Sequence, residues 1–168
     1  MEFAIVFPGL VLILFAMGEV GTFEARAVLF DRGLNFAMRD LKLGAIPNPT
    51  PENIKARICD EAFLIQRSCM EGLRLEMVPI NLGAPGIADN FLASEPQCRD
   101  RVEEEINPVP EPSLDPGQRL DPMLVRACLV IDPFFPSTFM GARLKLINGD
   151  ERGYALLAQT AFMNEPPR

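Results

Sequence analysis

Sixteen prolines in a chain of 168 residues are the strongest constraint on its fold. A proline offers no N–H to a sheet ladder, and inside a helix its ring clashes with the preceding turn. The residue before it is also pushed away from helical angles. A chain so punctuated is expected to build few long regular elements. The densest stretches are Ile46-Pro47-Asn48-Pro49-Thr50-Pro51 and 107–122, which carries Pro108, Pro110, Pro112, Pro116 and Pro122. Both are expected to be extended or turning loops.

Between the prolines, apolar residues alternate with polar ones. Leu73, Leu75 and Met77 alternate with Arg74, Glu76 and Val78. Ala142, Leu144 and Leu146 alternate with Arg143 and Lys145. After Asn148-Gly149-Asp150, a further run places Leu156, Ala158, Thr160 and Phe162 on one face. Period two is the pattern of a half-buried strand. Asn-Gly supplies the positive φ angles that a tight hairpin needs. Val28-Leu29-Phe30, 37–43 and 123–131 read as additional strands, with Asp31-Arg32-Gly33 as a turn. The stretch 50–69 supports two readings. Thr50, Pro51 and Glu52 are good N-cap and first-turn residues for a helix, the local favourite. Ile54, Ala56 and Ile58 alternate as in a strand. The count is roughly six to eight short strands between Pro- and Gly-rich turns, which predicts an all-β sandwich with room for one short helix.

Composition narrows the function. With 48% hydrophobic and 23% charged residues the chain can bury a core. Its formal net charge of -7 gives nucleic acid no basic surface to bind. It does not exclude lipid, which apolar burial alone can hold. His is absent, which removes Ser-His-Asp and Cys-His catalysis and histidine metal ligands. The one candidate carboxylate pair is Asp60 and Glu61, and sequence neighbours diverge on either kind of element. Glu103-Glu104-Glu105 reads as a solvated charge run. No enzymatic activity, metal or cofactor is expected.

From Phe3 to Phe15 the chain is uncharged and apolar. That length suits the core of a signal peptide and is short for a membrane span. Ala16-Met17-Gly18 places small residues at -3 and -1, so cleavage is expected after Gly18, with Ala25-Arg26-Ala27 as a second option. Residues 1–18 are then a signal peptide and 19–168 a single domain. A buried N-terminal strand or helix is the alternative. Four cysteines, Cys59, Cys69, Cys98 and Cys128, form an even set behind an export signal and point to two disulfides in an oxidising compartment. Three pairings are open. The shorter loops favour Cys59–Cys69 and Cys98–Cys128, each contributing about 3 kcal/mol on the chain-entropy account.

Phe135-Pro136-Ser137, then 141–146, then Asn148-Gly149-Asp150 resembles the closing hairpin of the ML lipid-recognition domains, the ganglioside-activator branch above all. Asp40-Leu41-Lys42-Leu43 before Ile46-Pro47-Asn48-Pro49 is similar to that branch's early strand and turn. Cys98, Pro110-Glu111-Pro112 and Cys128 resemble its cysteine-bounded loop. The family's cysteines near Gly33 and Tyr154 are missing. The resemblance implies an immunoglobulin-like β-sandwich whose sheets splay to hold acyl chains. The protein would then be a secreted, non-enzymatic carrier of lipid or glycolipid, extracellular or in the endolysosomal lumen. The implied lining is Leu73, Leu75, Met77, Leu144, Leu146, Leu156 and Phe162. Phe134, Phe135, Phe139 and Met140 would form a rim that touches lipid or a membrane surface. The plainer reading of the same Leu and Met residues is solid core. On that reading the protein is a secreted interaction module for a protein partner, with no ligand cavity.

Overall fold

No proline falls between Pro8 and Pro47, and a single helix fills that gap. The computed structural model describes residues 2–80, 121–136 and 153–163, together with 91, 93, 94, 96, 98 and 99. The elements run α1 (Glu2–Lys42), α2 (Pro51–Glu61), a 3-10 turn (Phe63–Ile65), α3 (Gln66–Gly72), β1 (Arg74–Pro79), β2 (Pro122–Ile131) and β3 (Tyr154–Met163). Among the described residues this is a mixed helix and sheet protein. The expected all-β, immunoglobulin-like sandwich is overturned: the described residues form three helices and one three-stranded antiparallel sheet, ordered β1-β2-β3, with helices on one face.

The largest correction is α1. Val28-Leu29-Phe30, Asp31-Arg32-Gly33 and 37–43 are helical, neither strand nor turn. Over a few residues, alternation in these segments mimics period two. Over a longer window the apolar residues fall at helical spacing: Phe23, Ala27, Phe30, Leu34, Ala37, Met38 and Leu41. That stripe is the one that packs, with Phe30, Leu34, Ala37 and Met38 buried and the others half-buried against them. The helix stops at Gly44, whose φ of 68° is left-handed. Gly44 N–H donates to the Leu41 carbonyl and Ala45 N–H to that of Asp40, at 3.1 and 2.9 Å, which closes a Schellman cap. Arg39 and Lys42 in the last turn complement the helix dipole.

The segment from Thr50 starts a helix as the local signals indicate, but the helix does not run on to Cys69: it ends at Glu61, and a 3-10 turn and α3 follow. The Thr50 hydroxyl accepts from Asn53 N–H at 3.3 Å, Pro51 occupies the first turn, and α2 follows. The strand alternative suggested by Ile54, Ala56 and Ile58 is not realised; Ile54 and Ile58 instead share the buried face of α2. α2 crosses α1 closely. A Cβ on Gly33 would lie 2.5 Å from the Ile58 carbonyl oxygen. Arg57 Nε donates to Asp40 across the same crossing at 2.7 Å.

The sheet is built from the strands expected at 73–80 and 123–131 and from the run that carries Leu156, Ala158, Thr160 and Phe162. β1 and β2 pair with Leu75 opposite Ala127 and Met77 opposite Val125. β2 and β3 pair with Leu129 opposite Leu156 and Met123 opposite Phe162. These residues face the helices and form one core with Phe30, Leu34, Ile58 and Ile65. Each such side chain contributes about 1.5–3 kcal/mol when fully buried. The hairpin expected around Asn148-Gly149, with Leu144 and Leu146 in its first strand, lies outside the described residues.

Both favoured disulfides are present. Cys59–Cys69 ties α2 to α3 with the Cα atoms 5.6 Å apart, and Cys98–Cys128 ties the segment ahead of β2 to that strand at 5.1 Å. On this outer face of the sheet Glu76 lies opposite Arg126. Arg126, only 2% exposed, donates to the carbonyls of Ser94 and Phe91 and stacks on the Phe91 ring. Glu76 lies 3.8 Å from both Arg74 and Arg126. A charge removed from water in this way needs such partners.

Candidate membrane-facing site

The two halves of α1 have opposite surroundings. From Phe23 onward one stripe is buried. Before it, Leu12, Ile13, Leu14 and Phe15 are 62, 57, 58 and 43% exposed. Four successive residues step through 100° each, so the helix is apolar and substantially exposed on every side here. Phe3, Phe7, Leu10 and Met17 extend this surface along the helix. A helix apolar all round belongs in a protein core or in lipid. α1 is long and apolar enough to cross a membrane, a property it shares with signal sequences.

Where the bare half meets the packed half, polar groups fasten α1 to the end of the sheet. Glu19 is 1% exposed. Its carboxylate oxygens accept the backbone N–H groups of Phe134 and Phe135 at 3.0 and 2.6 Å. Two turns on, Arg26 Nη1 donates to the Tyr154 hydroxyl at 2.8 Å and to the Asp132 carbonyl at 3.0 Å. The Phe23 ring meets Tyr154 edge-on at 5.1 Å. Burial pushes the Tyr154 phenol above its ordinary 10.0, while the Arg26 hydrogen bond and charge pull the other way. Thr160 donates to Asn35 at 3.0 Å and completes the seam between α1 and β3.

The turn after β2 rests on this junction. Phe135 packs on Phe15 with ring centroids 5.0 Å apart, and its ring lies 3.5 Å from where a Gly18 Cβ would sit. Phe134 meets Phe135 edge-on at 4.9 Å and is itself 60% exposed.

The structure separates the residues expected to bind lipid into groups. Leu73, Leu75, Met77 and Leu156 are buried in the common core, and Phe162 packs against it. Among the described residues they lie against helices. Phe134 and Phe135 form a surface turn on α1. Leu144, Leu146, Phe139 and Met140 lie outside the described residues. Asp60 and Glu61 turn to different partners, Gln66 and Arg57. Glu19 and Arg26 were not among the expected site residues. Their signal is positional: Glu19, Phe23, Arg26 and Phe30 continue the packed stripe of α1, so both polar groups had to meet the sheet. No protein-family model, curated protein or solved structure matches the chain. The two disulfides and the apolar N-terminal helix are compatible with an exported protein.

Proposed function

We propose that this chain is a membrane-anchored, non-enzymatic protein whose disulfide-stapled domain lies on the extracytoplasmic side and works by contact with a macromolecular partner. The observation that carries this reading is the largely exposed apolar circumference at 12–15 on a helix that continues into the domain core. Water would leave that surface unpaid for, whereas lipid accepts it. The disulfides favour an oxidising compartment. The absence of His removes the commonest catalytic group. The apolar face of the described sheet lies against the helices, and the exposed apolar surface is that of α1, so lipid meets the outside of α1 in this account.

A second reading is favoured by Ala16-Met17-Gly18, which suits cleavage after Gly18 and release of a secreted domain. Such cleavage would remove Phe15 and Gly18, on which Phe135 rests. Alkaline carbonate extraction of expressing cells, followed by intact mass, separates the two. The anchored reading predicts protein in the membrane pellet with residues 1–18 attached. Soluble protein that begins at Glu19 would establish the secreted one.

A further inference from the structure

We infer that the Phe134-Phe135 turn is a second lipid contact, seated on α1 by Glu19, and that it fixes the depth at which the domain sits on the bilayer. This rests on the reading of α1 as a membrane anchor. The first charged residues of α1 on the domain side of Glu19 are Glu24 and Arg26. A span of about 20 residues, or ~30 Å, counted back from Glu24 covers roughly residues 4–23. Phe15 to Glu19 then lies about 6–12 Å inside that limit, in the outer part of the hydrocarbon. The turn docks at this level, through Phe135 on Phe15 and the two N–H bonds to Glu19.

The chemistry of the junction fits that depth. Glu19 is the one charged residue between Phe3 and Phe23. A carboxylate near hydrocarbon is costly unless it is hydrogen-bonded, and here both oxygens are served by backbone donors. The same two bonds hold the turn in register with the helix. Asp132 is exposed and its carbonyl is held by Arg26, which marks the watery side. Two residues on, Phe134 presents an exposed ring continuous with the bare surface of α1. A lipid surface is the occupant that this continuity selects.

The chain lacks Trp, so one introduced Trp reports alone. The full chain is reconstituted in phosphatidylcholine–phosphatidylglycerol vesicles with and without brominated acyl chains. Leu12→Trp reads the anchor, Phe134→Trp the turn, and Phe63→Trp, beyond the end of α2, the water-facing side. The proposal expects bromolipid quenching and blue-shifted emission for Leu12→Trp and Phe134→Trp, and neither for Phe63→Trp. Adding Glu19→Ala should weaken quenching of Phe134→Trp and leave that of Leu12→Trp unchanged. Quenching of Leu12→Trp alone would overturn the second contact and keep the anchor. No quenching at either would overturn both. Blue-shifted, unquenched emission from Phe134→Trp would show a protein cover instead and overturn lipid as the occupant.

Discussion

Gly33→Ala is expected to weaken the domain although alanine is the better helix former. A Cβ at this position would lie 2.5 Å from the Ile58 carbonyl oxygen, 3.5 Å from its carbon and 3.6 Å from the Glu61 Cβ. The closest atom is backbone of α2, so no side chain can swing aside. Relief to an ordinary contact of 3.4 Å requires the two helices to part by about 0.9 Å. That movement loosens Leu34 and Ile58, both fully buried, and stretches the Arg57–Asp40 bond. Overpacking of this kind costs about 1–3 kcal/mol. The helix propensity of alanine returns about 0.5–1 kcal/mol. The difference spans about 0–2.5 kcal/mol with a midpoint of about 1 kcal/mol, or roughly 2–4 °C in Tm at that midpoint for a chain of this size. The assay is thermal and urea unfolding of detergent-solubilised, oxidised protein, followed by circular dichroism. Gly21→Ala is the matched control, because no atom lies within 4 Å of its added Cβ. It should be neutral or stabilising by up to about 1 kcal/mol. If Gly33→Ala stabilises as Gly21→Ala does, the close crossing of α1 and α2 is wrong.

Thr50→Ala should cost about 1 kcal/mol through loss of the α2 cap, and Thr50→Asp should retain most of it; unfolding midpoints decide. Leu75→Trp should destabilise the core by about 1–3 kcal/mol without a fluorescence response to phospholipid or glycolipid vesicles. A response to lipid at that position would restore the acyl-chain reading. Tyr154 is the sole tyrosine, so tyrosinate absorbance follows it alone, and its midpoint should lie above 10.0. Because the folded pKa is raised, its contribution to stability is complete below pH 10 and is lost as pH climbs through the folded value. A midpoint at or below 10.0 would contradict its burial. Oxidised protein, unfolded without reductant, should expose no alkylatable thiol, and reduction should release thiols from both disulfides.

The sheet was legible because Leu75, Met77, Leu156 and Ala158 lie on strands that bury one face, and period two survives in such strands. α2 was legible because Thr50 and Pro51 announce its start by local chemistry. α1 is hard to read from the sequence for two physical reasons. Proline acts where it stands, so the total says little about a chain whose prolines leave 9–46 empty. The short run 37–43 fits a strand or a helix, and only the longer run from Phe23 to Leu41 distinguishes them. The Glu19 clamp needs tertiary contact across 116 residues to the Phe135 amide, which no local pattern encodes. Arg126 hid within an apolar strand because its partners, Phe91 and Ser94, come from a distant segment.

The central claim is that one unbroken helix is both lipid anchor and scaffold for the sheet. Amide hydrogen exchange of the full chain in lipid nanodiscs and in lipid-free detergent solution tests it most directly. The account predicts protection at every amide from residue 6 to residue 42, Pro8 having none, with the part before Glu24 protected more strongly in lipid. Fast exchange across Gly18 to Phe23 between protected flanks, or equal exchange of residues 3–17 in both media, would contradict it.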